Sequence, residues 1–257
     1  MKKKKVIKIL QDRTVYLQWR SDSWRNTAIM LSDAIKTDDP ILKKEALDIF
    51  DNVKIKGGVS YYIIDKNKLE NCYIISVGDS GIGFKPQKEQ INDIHDLNNK
   101  FKKYGIIFMS IRGNHDDPSY YNGADRIKLS NFETIEDYTV MEHNGKLIQF
   151  IGGATSIDRS MRKEGVSYWS KEGLYFEGDK LQQVDTLITH TASSSCFPQT
   201  FNEMVYSWAR EDAGLLENLT EERAMMDEIF KVCQPSLHLY GHFHDSWNEE
   251  INGCKHR

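Results

Sequence analysis

From residue 59 onward the sequence is a series of short runs rich in β-branched and aromatic residues, at 59–64, 73–77, 106–111, 147–151 and 186–189, each bounded by glycine, polar or acidic residues. Apolar positions at helical spacing fill 89–104 and 219–233 between them. Strands that alternate with helices mark a sheet covered on both faces, so the chain reads as α/β (α+β). Ahead of these runs, 14–19 reads as a strand, and 26–36 and 41–50 read as helices separated by the Asp38-Asp39-Pro40 breaker. No internal repeat and no Pro/Gly/Ser-rich linker is visible. The expected division is an N-terminal extension over 1–58, of unassigned role, and a domain over 59–257 that forms one compact unit with it.

In sheets of this kind ligands collect at the carboxyl ends of the strands, where several loops converge. Here 73–77 runs into Gly78-Asp79-Ser80-Gly81, and 106–111 into Arg112-Gly113-Asn114-His115-Asp116-Asp117-Pro118. Likewise 187–189 runs into His190-Thr191-Ala192, and 237–240 into Gly241-His242-Phe243-His244. Asp, Asn and His are hard and borderline donors suited to Mn, Fe or Zn, and no thiolate joins them. A lone histidine or a strand-end aspartate is commonly structural. Four such strand ends in one chain make a shared N/O metal site the better account. The glycines before Asp79 and Asn114 let the backbone turn sharply and come close to an ion.

Composition narrows the class. The 257 residues carry 34 Lys and Arg against 38 Asp and Glu, a net charge of −4, so there is no basic excess for non-specific binding of duplex DNA. The apolar runs at 73–75 and 106–109 fall far short of the ~20 residues that span a bilayer. The basic start at 1–5 is followed by no apolar stretch of the kind a signal peptide carries, so a cytoplasmic protein without membrane contact is expected. Cys72, Cys196, Cys233 and Cys254 are scattered and expected to be reduced. Of the eight histidines, His238, His242 and His244 fall within seven residues. His238 reads either as support for a ligand or as packing, and His95 and His143 as surface residues.

The order Gly-Asp, Gly-Asn-His-Asp, Thr-His, Gly-His-x-His resembles the calcineurin-like metallophosphoesterases over about 59–252. The stretches 77–84, 111–120, 151–159 and 239–246 are similar to a bacterial and phage branch of that family. The resemblance implies a four-layer sandwich of two mixed β-sheets flanked by helices, and a two-metal centre that activates water for in-line attack on phosphorus. Carried onto this sequence, Asp79 would bridge both metals. Asn114, His190 and His242 would complete the second metal's shell, and His244 would serve the first. His115 would protonate the leaving oxygen, with Asp116 orienting its ring. Mn²⁺ is the expected ion, with Fe or Zn as alternatives. No serine or cysteine stands beside a base in the manner of a covalent nucleophile.

The pattern departs from the family at its first motif, an Asp-x-His upstream of Gly-Asp, because no histidine precedes His95. Three acids are candidates for its place. Asp65 follows 59–64, but only seven residues separate that run from the next, too few for a parallel crossover. Asp51 lies 79 − 51 = 28 residues before Asp79 but follows a helix; Asp22 sits between strand and helix but 79 − 22 = 57 residues before it. One tight ion near Asn114, His190 and His242 is therefore expected, with a weaker first site. The implied activity is hydrolysis of a phosphate mono- or diester. The alternative is a catalytically impaired relative that binds one metal or a phosphorylated ligand, or acts as an interaction module. After Gly-His-x-His the family continues through at least one more strand, whereas this chain stops at Arg257, so a short sheet edge or a truncated chain is expected.

Phosphate recognition favours arginine, whose fork matches two oxygens. Arg159 is the expected substrate contact, weighed against a surface pair with Asp158, and Arg112 precedes the Gly-Asn-His-Asp loop. Tyr168, Trp169 and Trp208 are weighed between stacking on a base and core packing. The substrate is expected to be a phosphorylated small molecule, a nucleotide or a phosphoprotein; the oligomeric state is left open.

Overall fold

The computed structural model describes residues 73–197, 201–244 and 248–257, together with the backbone of strands β1 (Val53–Lys56) and β2 (Val59–Tyr62). The expected strand at 14–19, the helices at 26–36 and 41–50, and Asp22, Asp51 and Asp65 lie outside the described residues. β1 and β2 pair with each other as an antiparallel hairpin, Val53 opposite Tyr62. Val59–Tyr62, part of the run at 59–64 read as a strand of the main domain, therefore pairs with Val53–Lys56.

Two larger sheets form the body. In the first, β3 (Tyr73–Ser76), β4 (Ile107–Ser110) and β5 (Phe132–Thr134) lie parallel, with Tyr73 opposite Ile107 and Phe108 opposite Phe132. Helix α1 (Gln87–Tyr104) carries the chain from β3 to β4, and the single turn α2 (Ser119–Asn122) follows β4. The second sheet contains β6 (Val140–His143), β7 (Lys146–Ile151), β8 (Thr186–Thr189), β9 (Leu237–Leu239), β10 (Glu249–Ile251) and β11 (Cys254–His256) in the order β10-β11-β9-β8-β7-β6. Strands β7, β8, β9 and β11 run parallel, and β6 and β10 pair antiparallel at the edges. Helices α3 (Glu203–Trp208) and α4 (Leu215–Cys233) lie between β8 and β9. The class is thus mixed α/β. Helix α4 begins four residues earlier than its sequence periodicity predicts, and β10 and β11 extend the sheet beyond Gly-His-x-His, where a short edge is expected.

Side-chain alternation distributes each strand between two apolar surfaces. Ile74, Phe108 and Phe132 face outward and pack with Ile91, Ile94, Leu97 and Phe101, the three-and-four-spaced stripe of α1. That helix stops at Gly105, which takes a left-handed φ of 67° and closes the last turn onto Lys102 O. Val77 and Met109 on the inner side meet Phe150, Ile188 and Leu239 of the second sheet. Ile151 and Leu187 face the other way, against Met226, Ile229 and Cys233 of α4. Each fully buried aliphatic or aromatic side chain in these layers contributes about 1.5–3 kcal/mol. The arrangement leaves the carboxyl ends of β3, β4, β7, β8 and β9 to converge at one rim.

Candidate metal centre and its cavity

Two glycines allow the strand ends to interlock. Gly78, at φ 102°, sits so close to His190 that a Cβ there would collide with the ring Nδ1; a Cβ on Gly113 would collide with the backbone N and Oδ1 of Asp79. Asp79 itself takes a left-handed φ of 57°, and its Oδ1 accepts the backbone N–H of His115 at 3.0 Å. The fully buried His190 donates Nδ1–H to the Val77 carbonyl at 2.6 Å, because a carbonyl can only accept. Its Nε2 then faces Asn114 Oδ1 at 3.0 Å and Asp79 Oδ1 at 3.3 Å. His242 Nδ1 reaches the same Asn114 oxygen at 3.0 Å, while the Asn114 amide donates to Ser156 Oγ at 2.9 Å.

Three of the four strand-end motifs thus meet around one oxygen, and the fourth, Asp79, joins through His190. With its Nδ1 proton committed, a neutral His190 turns a lone pair on two acceptor oxygens. A second proton or a cation relieves that opposition. Burial alone would depress the pKa of His190, but the Asp79 carboxylate outweighs it and raises the imidazole above its usual value. Burial, reinforced by His190, drives His242 well below the usual histidine range. The donors therefore suit a divalent cation held by Asp79, Asn114, His190 and His242.

His115 lies at the rim of an open cavity of about 380 Å³ that Asn114, His242 and His244 also line. Against its imidazole stands Arg162, with Nη1 2.9 Å from Nδ1 and Nη2 3.0 Å from Nε2. The expected His115–Asp116 partnership is not formed. Asp116 turns into the fold, where its carboxylate accepts the backbone N–H groups of Gly113 at 2.8 Å, Ile82 at 3.0 Å and Ser80 at 3.2 Å. It ties the loop after β3 to the loop after β4. Burial, and then the Asp79 charge, raise its pKa to about 6.

Arg159, the expected substrate contact, is engaged by other side chains. Its guanidinium is held by Asp212, with Nη2 3.2 Å from Oδ1, and by Asn218 at 2.8 Å. Arg162, three residues on and paired with Asp158 at 2.7 Å, is the arginine that lines the cavity. Arg112 is fully buried and forks onto Asp137 at 2.9 and 3.2 Å, so it braces the loops from behind. Trp208 lines the cavity with Ile157 and Val205, whereas Trp169 packs edge-on to Phe84.

Sequence reasoning passed over two supporting acids. Glu172 accepts Ser156 N at 2.7 Å and so holds the residue that receives the Asn114 amide; burial raises its pKa to about 7. Glu222 of α4 accepts Thr155 N at 2.6 Å and Thr191 Oγ1 at 2.7 Å, gripping the loops after β7 and β8. Both stand in unremarkable polar stretches, and no local signal distinguishes them.

A second donor group lies elsewhere. Among the described residues, one set of three His, Cys or carboxylate donors has its atoms within 4.8 Å of one another: buried Cys196, His238 and His256, which together could hold a metal ion. The Asp79, His190 and His242 set is linked instead through Asn114. No family model matches the sequence, and no curated protein matches it. No described helix is long and apolar enough to cross a membrane.

Proposed function

We propose that the protein is a metal-dependent phosphoesterase of the calcineurin-like kind, hydrolysing a phosphate mono- or diester. The carrying observation is the convergence of Asp79, His190 and His242 on Asn114 beside a cavity that presents His115 and Arg162. The packing of helix on sheet on sheet on helix is consistent with the sandwich such enzymes use.

Asp79, Asn114, His190 and His242 would hold one divalent ion, Mn²⁺ by the character of the donors, and His244 would take part in a weaker second site. Bound there, divalent ions supply Lewis-acid stabilisation of phosphoryl charge and activation of water, so no covalent nucleophile is required. Arg162 offers a planar fork matched to two phosphoryl oxygens, and Asp158 keeps it in the cavity. His115 faces the same space and, once phosphoryl oxygens draw the Arg162 fork off its ring nitrogens, would give a proton to the leaving oxygen. Ile157, Val205 and Trp208 form an apolar wall suited to an aromatic or nucleobase leaving group.

The test is turnover of p-nitrophenyl phosphate and its bis ester with Mn²⁺. Asp79→Ala and His242→Ala should each lower the rate at least about 100-fold. Turnover no higher than in those two variants overturns the reading.

A further inference from the structure

The loop after β8, strand β9 and strand β11 bring together a group for which the cavity chemistry has no use. His238 and His256 are register partners on neighbouring parallel strands, and their Nδ1 atoms stand 3.1 Å apart. Cys196 Sγ lies 3.1 Å from the same His256 nitrogen. All three side chains are buried. His238 alternates with Leu237 and Leu239, which face the inter-sheet core, so its ring points the opposite way, toward Phe230 of α4.

The tautomers bear on what this group can hold. Thr189 Oγ1 donates to the Thr191 carbonyl, so the 2.8 Å contact between Thr189 Oγ1 and His238 Nε2 uses the histidine's proton. His238 Nδ1 is then the lone-pair atom, and it points at His256 and Cys196. In a tetrahedral zinc site, Zn–N of about 2.0–2.1 Å and Zn–S of about 2.3 Å place ligand atoms roughly 3.3–3.6 Å apart, within about half an ångström of the two 3.1 Å spacings at His256. Phe230 and Tyr240 close over the imidazoles, with ring centroids 4.7 and 4.9 Å from His238, and Phe230 stacks on His256 at 5.3 Å. A dry, closed set of sulfur and nitrogen donors has the character of a structural site, unlike the open cavity of oxygen and nitrogen donors. Cys254 is two residues before His256, on the same face of β11 by strand alternation, and is itself buried; its Sγ stands outside the group, on the Lys255 carbonyl at 3.8 Å, and completes the set by turning toward the ion.

We propose that Cys196, His238 and His256, completed by Cys254, bind one Zn²⁺ that fastens β11 and the loop after β8 to β9. Each cysteine gives up its S–H proton to solvent as the Zn–S bond forms, with no change of oxidation state. The ion joins three segments that otherwise meet through strands of three or four residues.

The test uses the full chain and Co²⁺ as a spectroscopic substitute, with zinc counted in the purified protein. The expected result is a thiolate-to-cobalt charge-transfer band with tetrahedral d–d bands, and one zinc per chain. Zinc should fall at least tenfold in His256→Ala, and the charge-transfer band should weaken in Cys254→Ser. Asn114→Ala should retain both zinc and band, which separates this site from the cavity centre. A folded wild-type chain that takes up Co²⁺ without a thiolate band overturns the proposal, even if every cysteine variant fails to fold. An undiminished band in a folded Cys254→Ser variant removes Cys254 from the ligand set.

Discussion

Asn114 Oδ1 and His190 Nε2 stand 3.0 Å apart with no proton to share while the imidazole is neutral, because His190 commits its other nitrogen to Val77. A cation between them removes the opposition, so Mn²⁺ should stabilise the fold by mass action, about 2.7 kcal/mol at a hundredfold excess over its Kd. Thermal melts over a Mn²⁺ series should show a rising midpoint in the wild type and a flat one in Asn114→Ala. A wild-type midpoint insensitive to Mn²⁺ would refute the cavity centre.

The two arginines of the loop after β7 should separate cleanly. Arg162→Ala removes the fork beside His115 and should raise KM for p-nitrophenyl phosphate about tenfold or more. Arg159→Ala should leave KM within about twofold, because its guanidinium is held by Asp212 and Asn218 away from the cavity that Arg162 lines. Steady-state kinetics on the two variants decides between them; the reverse ranking would restore Arg159 to the substrate.

Glu172 makes stability depend on pH with a definite sign. Its pKa rises from 4.5 when exposed to about 7 in the fold, so the folded chain binds the extra proton in that window. Its contribution is therefore fullest below about pH 4.5 and is lost as pH climbs through about 7, by at most about 3 kcal/mol. Urea melts of Glu172→Gln between those pH values should show a flatter slope than the wild type. Parallel slopes would contradict a buried, proton-binding Glu172.

Gly113→Ala forces a methyl group into the backbone and carboxylate of Asp79. Overpacking against groups that cannot move aside should cost about 3 kcal/mol and also reduce turnover, since Asp79 is displaced. Chemical denaturation and activity should fall together. A fully active, fully stable variant would mean that the loops after β3 and β4 do not interlock.

Asp137→Ala strands the Arg112 guanidinium in the interior. Removing one partner of a buried ion pair costs about 3–5 kcal/mol, whereas replacing both by apolar groups is far milder. The double variant Arg112→Met/Asp137→Leu should thus be more stable than Asp137→Ala in equilibrium denaturation.

Much of the cavity centre was legible because each donor sits one to four residues beyond a strand, where period-two alternation and a following glycine or threonine make the strand end visible. Arg162 was not legible. Arg159 and Arg162 bracket a single 3₁₀ turn, Arg159–Met161, and which one enters the cavity is decided by Asp212, fifty-three residues further on. Asp116 misled for a different reason. Adjacent side chains diverge, and a carboxylate within reach of three backbone N–H groups satisfies them before it reaches a neighbouring ring. Cys196, His238 and His256 come from three segments with no shared spacing. Only the parallel register of β11 on β9 makes neighbours of the two histidines.

Glu222 reaches from the middle of α4 to Thr155 and Thr191, and Arg223 beside it donates to the carbonyls of Ala192 and Ser193 at 2.8 and 2.6 Å. The outer helix and the loops that carry the centre should therefore open as one cooperative unit. Amide exchange at Thr155 should then track the lifting of α4 away from the sheet. The rim from which the donors project inherits the lifetime of the helix behind it.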